Sequence, residues 1–163
     1  MVRPDGRDGQ PDAAAQWRGP GTLPDAAVQD PAARVAPAAD ADVVYVEDNS
    51  VNVLLVRELL AQRPRLRLHV ATTLAEAEAL VPRVQPALLL ADMHLSDGDG
   101  LQLLQRLGRG GRRPARHCIA LSADVLPEDV ARALAGGFDE YWAKPIDVAA
   151  FLAGIDRLLG TSA

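Results

Sequence analysis

One cysteine, two tryptophans, two tyrosines and two phenylalanines are all the thiols and large aromatic side chains in 163 residues. A single cysteine, Cys118, excludes an internal disulfide and any cysteine-rich zinc site, and it fits a reducing cytoplasm. With aromatics at 4% and apolar residues at 48%, the core must be built from Leu, Val and Ala, which favours packed helices over a β-sandwich. No apolar run approaches the ~18 residues that a membrane span requires, and no apolar segment follows Arg3 and Arg7, so neither membrane insertion nor export is expected. Net charge is −5, and nowhere do Lys and Arg cluster with aromatics. The chain therefore lacks the electrostatic footprint of a nucleic-acid binder. The short basic stretch Arg112, Arg113 and Arg116 lies among Gly and Pro and reads as a solvated loop. Neither His69 nor His117 has a companion at metal-binding spacing, and no histidine looks catalytic. Lysine is scarcest of all: sixteen of the seventeen cationic residues are Arg, and the one lysine is Lys144.

Residues 1–40 form a Pro-, Ala-, Gly- and Asp-rich segment with Pro4, Pro11, Pro20, Pro24, Pro31 and Pro37 scattered along it. Such a stretch buries too little apolar surface to offset its ordering entropy. The expectation is a disordered tail, or else a linker or docking arm anchored by Trp17 and Leu23. A folded domain is expected over 41–160, with a short C-terminal tail at 161–163. Within the domain, short apolar runs alternate with amphipathic stretches, the pattern of a parallel sheet wrapped by helices. Strands are expected at 43–47, 66–70, 87–91, 117–121 and 138–142.

Helices fill the intervals. The first, about 51–62, follows Asn49 and Ser50 as cap candidates. The second opens on a capping box, Thr73 with Glu76, and should bend or end near Val81 because Pro82 cannot donate an interior hydrogen bond. A third covers about 100–108, a fourth runs from Pro127 to Gly136-Gly137, and the last spans about 147–159. The continuous apolar run 87–91 implies a strand covered on both faces, hence central.

Each candidate functional residue falls at the carboxyl end of a strand, where ligands gather in open parallel sheets. Strand one ends in Glu47-Asp48 and strand three in Asp92. Three converging carboxylates repel one another, and a hard divalent cation with oxygen ligands, Mg²⁺ above all, removes the conflict. Strand four ends in Ser122, and strand five is followed by Lys144-Pro145. In a chain that otherwise writes positive charge as Arg, a lone lysine points to a need for a compact ammonium without a planar fork. Carboxylate, metal site, hydroxyl and ammonium together describe phosphoryl transfer, with Asp92 as nucleophile and an aspartyl phosphate as product.

These motifs, in this order, resemble the response-regulator receiver family over about residues 42–159. The resemblance rests on Glu47-Asp48, on Asp92 in ADMHLSDGDG, on Ser122 in ALSAD and on Lys144-Pro145 in YWAKP. Spacing agrees too: 44 residues separate Asp48 from Asp92, 30 separate Asp92 from Ser122, and 52 separate Asp92 from Lys144. The resemblance implies a flavodoxin-like (βα)5 α/β fold with a doubly wound parallel sheet of order 2-1-3-4-5. It further implies that Asp92 is phosphorylated by a histidine kinase or a histidine phosphotransfer protein. Asp48 and Asp92 would bind Mg²⁺ directly, Glu47 through water, and the main-chain carbonyl of His94 would complete the set. Ser122 and Lys144 would contact the phosphoryl group, Lys144-Pro145 would be cis, and Tyr141 would be the aromatic switch. The output face, toward an unknown downstream partner, would be the fourth helix, fifth strand and fifth helix.

Two departures stand out. Ser96 replaces the family's usual proline, which implies a less rigid loop after Asp92. His94 and Asp124 occupy the positions that tune dephosphorylation. Because no output segment follows Gly160, a stand-alone receiver or the terminal receiver of a hybrid kinase is expected. Two other readings of the residues remain open. One is a phosphohydrolase with an aspartyl-phosphate intermediate, although His94 stands where its second aspartate belongs. The other is a receiver-like binding module that is never phosphorylated.

Overall fold

Alternation along each strand decides how this chain folds. In the computed structural model, which describes residues 41–161, the expected strands form one parallel sheet and their side chains sort by parity onto its two faces. The tail expected over 1–40 and residues 162–163 lie outside the described residues. The elements follow as β1 (Ala41–Val46), α1 (Ser50–Ala61), β2 (Leu66–Ala71), α2 (Leu74–Val84), β3 (Leu88–Asp92), α3 (Gly100–Leu107), β4 (His117–Ser122), α4 (Pro127–Ala135), β5 (Glu140–Ala143) and α5 (Val148–Leu159). Sheet order is β2-β1-β3-β4-β5, the flavodoxin-like arrangement.

Val44, Val46, Leu89, Ala91, Cys118 and Ala120 meet α2, α3 and α4 on one face. Val43, Tyr45, Leu88, Leu90, Ile119 and Leu121 meet α1 and α5 on the other. All five residues of β3 are buried, which is why that strand shows no polar alternation. The chain winds from β1 outward to β2, then returns past β1 to β3. A crevice therefore opens between the carboxyl ends of β1 and β3. No helix among the described residues is long and apolar enough to cross a membrane.

Two local expectations need correction, at Pro82 and at the start of β5. The helix containing Pro82 neither stops nor breaks at Val81 but continues to Val84. Pro82 lies in the last turn and forgoes one hydrogen bond to the carbonyl four residues back, a loss offset by Leu80, Val81 and Val84, which hold that turn against the core. The capping pair forms at the start of α2: Thr73 accepts the Glu76 N–H at 3.1 Å, and the Glu76 carboxylate accepts the Thr72 amide at 2.7 Å with the Thr73 amide a weaker partner. β5 begins at Glu140 instead of 138, because Phe138 is packed into the core and the Asp139 carboxylate accepts the Cys118 N–H at 2.8 Å.

On α5, Gly154 permits the close approach of Trp142. A Cβ there would lie 2.6 Å from Trp142 Cζ2, and that ring is held edge-on against Phe151 at 5.7 Å and by its N–H on Glu140. Gly154→Ala gains about 1 kcal/mol of helix propensity, but overpacking costs roughly 1–3 kcal/mol. A net loss in the denaturant midpoint is expected; an increase would show that the indole yields freely.

Candidate functional site

Glu47 and Asp48 sit just past the end of β1, Asp92 ends β3, and the three carboxylates bring ligand oxygens within 4.8 Å of one another. The sequence places them there because β1 and β3 are hydrogen-bonded neighbours with Val46 opposite Ala91, so both chains run out of sheet at the same edge. Glu47 is 1% exposed and Asp92 6%, whereas Asp48 stands at the exposed rim.

Burial of such carboxylates demands partners. Lys144 supplies them: its Nζ donates to Glu47 Oε2 at 2.6 Å and to Asp92 Oδ2 at 2.8 Å. Lys144 is delivered from the end of β5, where its N–H donates to the Ser122 carbonyl at 2.8 Å and the following bond to Pro145 is cis. Glu47 also accepts the Tyr45 hydroxyl at 2.8 Å and the Asn49 N–H at 3.2 Å. Asp92 accepts the His94 N–H at 3.0 Å, and Asp48 accepts the Ser96 N–H at 2.7 Å.

These partners split the two buried acids. Burial alone would raise both pKa values, but Lys144, Tyr45 and Asn49 together outweigh it at Glu47, which is held below the usual glutamate range. At Asp92 burial prevails over Lys144 and the His94 amide, the Glu47 charge adds to it, and the pKa is raised. Lys144 loses solvation, yet the two carboxylates overcome that and raise its pKa. Three carboxylates against one ammonium leave two negative charges, all on hard oxygen donors, which is the demand a small divalent cation meets.

Ser122 is fully buried at the end of β4, one residue past Leu121, the register partner of Asp92. Its Oγ accepts the Asp124 N–H at 3.1 Å rather than bonding to the carboxylates, which leaves its own O–H able to donate. The Tyr141 hydroxyl donates to the Asp124 carbonyl, so the ring tethers the loop that carries Ser122. A cavity of about 400 Å³ beside the acidic cluster is lined by His94, Ser122, Asp124, Arg132 and Tyr141, among others. His94 Nε2 lies 3.4 Å from the Asp124 carboxylate across its mouth, with both side chains more than half exposed.

The structure thus joins Glu47, Asp92 and Lys144 in one hydrogen-bonded group and brings the Asp48 carboxylate within 4.8 Å of the other two carboxylates. Ser122, Tyr141, His94 and Asp124 stand around the adjoining cavity. Sequence reading missed two contributors. Tyr45, two residues before Glu47, shares its side of β1 by strand parity, a signal that was legible. The Ser96 amide offered none, since its contact with Asp48 joins residues 48 apart.

Comparison with known proteins agrees with this arrangement. Residues 43–156 match the model of the response regulator receiver domain. The chain is 31% identical over 118 residues to the polar-differentiation response regulator DivK of Brucella anthropi, covering 72% of this chain and 95% of that protein. It is 35% identical over 112 residues to an uncharacterized 14.6 kDa protein of Leptolyngbya boryana, covering 67% and 82%. Among solved structures, the receiver domain of the sensor histidine kinase PA1611 from Pseudomonas aeruginosa, described with a magnesium ion coordinated in its active-site cleft, superposes with a TM-score of 0.65 at 27% identity, covering 75% of this chain and 99% of that one. With a sheet of order β2-β1-β3-β4-β5, an acidic cluster at its winding reversal and these relatives, the chain belongs to the response-regulator receiver family of two-component signalling.

Proposed function

We propose that this receiver accepts a phosphoryl group on Asp92 in a Mg²⁺-dependent reaction, from a histidine kinase or a histidine phosphotransfer protein. The observation that carries the reading is Lys144 Nζ, shared between Glu47 and Asp92 within an acidic group that it only partly neutralises. Asp48, Asp92, Glu47 through water and the His94 carbonyl would hold the ion. When bound, Mg²⁺ supplies positive charge to the phosphoryl oxygens.

The protein's own residues do the rest. An Asp92 oxygen forms the new bond to phosphorus while the bond from phosphorus to the donor breaks, and the departing group keeps that electron pair. The His94 amide and Lys144 fix the carboxylate so that it does not wander during attack. Lys144 then faces the new phosphoryl charge, and the Ser122 hydroxyl turns to donate to it. Because Tyr141 holds the carbonyl of Asp124, two residues beyond Ser122, movement of Ser122 is passed to β5 and to the face formed by α4, β5 and α5. His94 and Asp124 flank the path by which water would later remove the phosphoryl group. Phosphorylation in this way raises the population of an active conformation.

Mass spectrometry after incubation with Mg²⁺ and acetyl phosphate tests the reaction without its natural donor. One phosphoryl group per chain, mapped to Asp92, is the expected result. Sustained turnover of a phosphomonoester would instead favour the hydrolase reading. Absence of labelling, together with amide spectra around residues 92, 122 and 141 that beryllofluoride and Mg²⁺ leave unchanged, would favour an unphosphorylated binding module.

A protein donor must dock against the rim of the pocket. α1 starts at that rim with Val51 72% and Leu54 57% exposed, and α5 starts at the same sheet edge with Val148 45% exposed. Introducing charge by Leu54→Asp is expected to lower the ratio of transfer from a protein donor to labelling by acetyl phosphate about tenfold, as loss of an apolar interface anchor does. Comparing the two initial rates checks it; an unchanged ratio would place the donor elsewhere.

A further inference from the structure

We propose that Ser96 is a positioning residue for Asp48, acting through its main-chain N–H to aim that carboxylate into the acidic pocket. The inference rests on the reading of the pocket as a magnesium site and adds a determinant that a proline at this position cannot supply, because proline has no N–H.

The three carboxylates are secured unequally. Glu47 is held by Tyr45, Asn49 and Lys144, and Asp92 by His94 and Lys144. Lys144 bonds to those two and not to Asp48, which sits on the exposed rim. There a free carboxylate samples several rotamers, and ordering it on metal binding costs entropy. The Ser96 N–H meets Asp48 Oδ2 at 2.7 Å, a short charge-assisted contact. It fixes the orientation of the group and leaves the other oxygen for a cation. Hydrogen bonds of this kind from outside the ligand set tune metal affinity strongly.

Such a donor is useful only if the loop carrying it is fixed, and this loop is tied down without proline. The Met93 N–H donates to the Leu121 carbonyl at 2.9 Å, and Leu95 and Gly98 exchange hydrogen bonds at 3.0 and 3.3 Å. Asp97 receives the Leu74 N–H on both carboxylate oxygens, at 3.0 and 2.9 Å, which fastens the loop to the start of α2. Gly98 adopts φ +154°, and a Cβ there would lie 2.3 Å from Leu74 Cδ1, so the loop is pressed against α2 as closely as a glycine allows. The flexibility expected from Ser96 is thereby offset by anchors at 93, 95, 97 and 98. What the serine adds is an amide aimed at a metal ligand.

Calorimetric Mg²⁺ titration of wild type, Ser96→Pro and Ser96→Ala tests the proposal. Ser96→Pro is expected to weaken binding about tenfold, and Ser96→Ala, which keeps the amide, to restore wild-type affinity within about twofold. In the magnesium-free protein, exchange of the Ser96 amide proton should be slow and should speed up about tenfold in Asp48→Ala. Should Ser96→Pro misfold, an ester linkage replacing the amide between Leu95 and Ser96 removes the same N–H without the ring. Equal or tighter Mg²⁺ binding by the N–H-deficient protein, or exchange at 96 indifferent to Asp48, overturns the inference while leaving the magnesium site intact. Failure of the wild type itself to bind Mg²⁺ overturns the functional reading and this inference with it.

Discussion

Asp92→Asn is expected to abolish acyl-phosphate formation while leaving the domain folded and, without metal, more stable. Asp92 accepts the His94 N–H and the Lys144 ammonium on separate oxygens, and the asparagine keeps only one acceptor, but the side chain is nearly isosteric, so packing at this 6% exposed position survives. The lone pairs of the amide oxygen are too weakly basic for the nucleophilic step. The stability gain follows from the raised pKa of Asp92, which burial causes first and Glu47 augments. A carboxyl group with a raised pKa in the folded state costs stability when ionised, fully so above that raised value. The cost shrinks as pH falls through it and is gone below the ordinary aspartate range. Thermal melts without metal should therefore place Asp92→Asn above wild type at neutral pH, with the gap closing in acid. Added Mg²⁺ should stabilise wild type more than the variant, since it binds the folded form and the variant has lost a charged ligand. Equal labelling of both proteins by a radiolabelled donor would remove Asp92 from its assigned role.

Lys144→Arg is the second large effect, and it separates charge from shape. The lysine ammonium is 14% exposed at its side chain and touches two carboxylates through a single nitrogen. A guanidinium keeps the charge but spreads its donors over a rigid plane that this slot does not fit. Loss of a positioned donor to developing charge typically lowers a rate about 10²-fold or more, and a loss of that order is expected in labelling by acetyl phosphate. Folding should suffer less, because Glu47 and Asp92 keep a positive neighbour; removing the charge outright would leave two buried carboxylates uncompensated. Near-normal labelling and switching by Lys144→Arg would show that the pocket needs only positive charge, and the argument from the single lysine would fail. Stability has a matching alkaline limit. The pKa of Lys144 is raised in the folded state, so its stabilising contribution is complete below the ordinary lysine value and is lost as pH climbs through the raised one.

Much of the site was written in linear order. Glu47-Asp48, Asp92, Ser122 and Lys144 each end or follow an apolar run, and a parallel sheet forces such ends to one edge. The central place of β3 was legible for the same kind of reason, since a strand covered on both faces must be apolar throughout. Smaller features were not. Pro82 ends a helix in isolation, yet α2 runs past it because Val81 and Val84 pack against the core. Glu76 takes the Thr72 amide, one residue before the cap, and Asp97 reaches from the loop after β3 to the Leu74 amide.

By itself the sequence determined which chemical groups reach the crevice, because strand periodicity and turn position are local properties that side-chain pattern dictates. Tertiary structure alone decided how those groups share protons and hydrogen bonds. Lys144 bonds to Glu47 and Asp92 but leaves Asp48 to a loop amide, and Glu47 is held charged while Asp92 is pushed toward neutrality. The physical reason is that burial and hydrogen-bond partnership depend on contacts between residues tens of positions apart, which no local pattern encodes, whereas the direction of a side chain from a strand depends on little more than its parity.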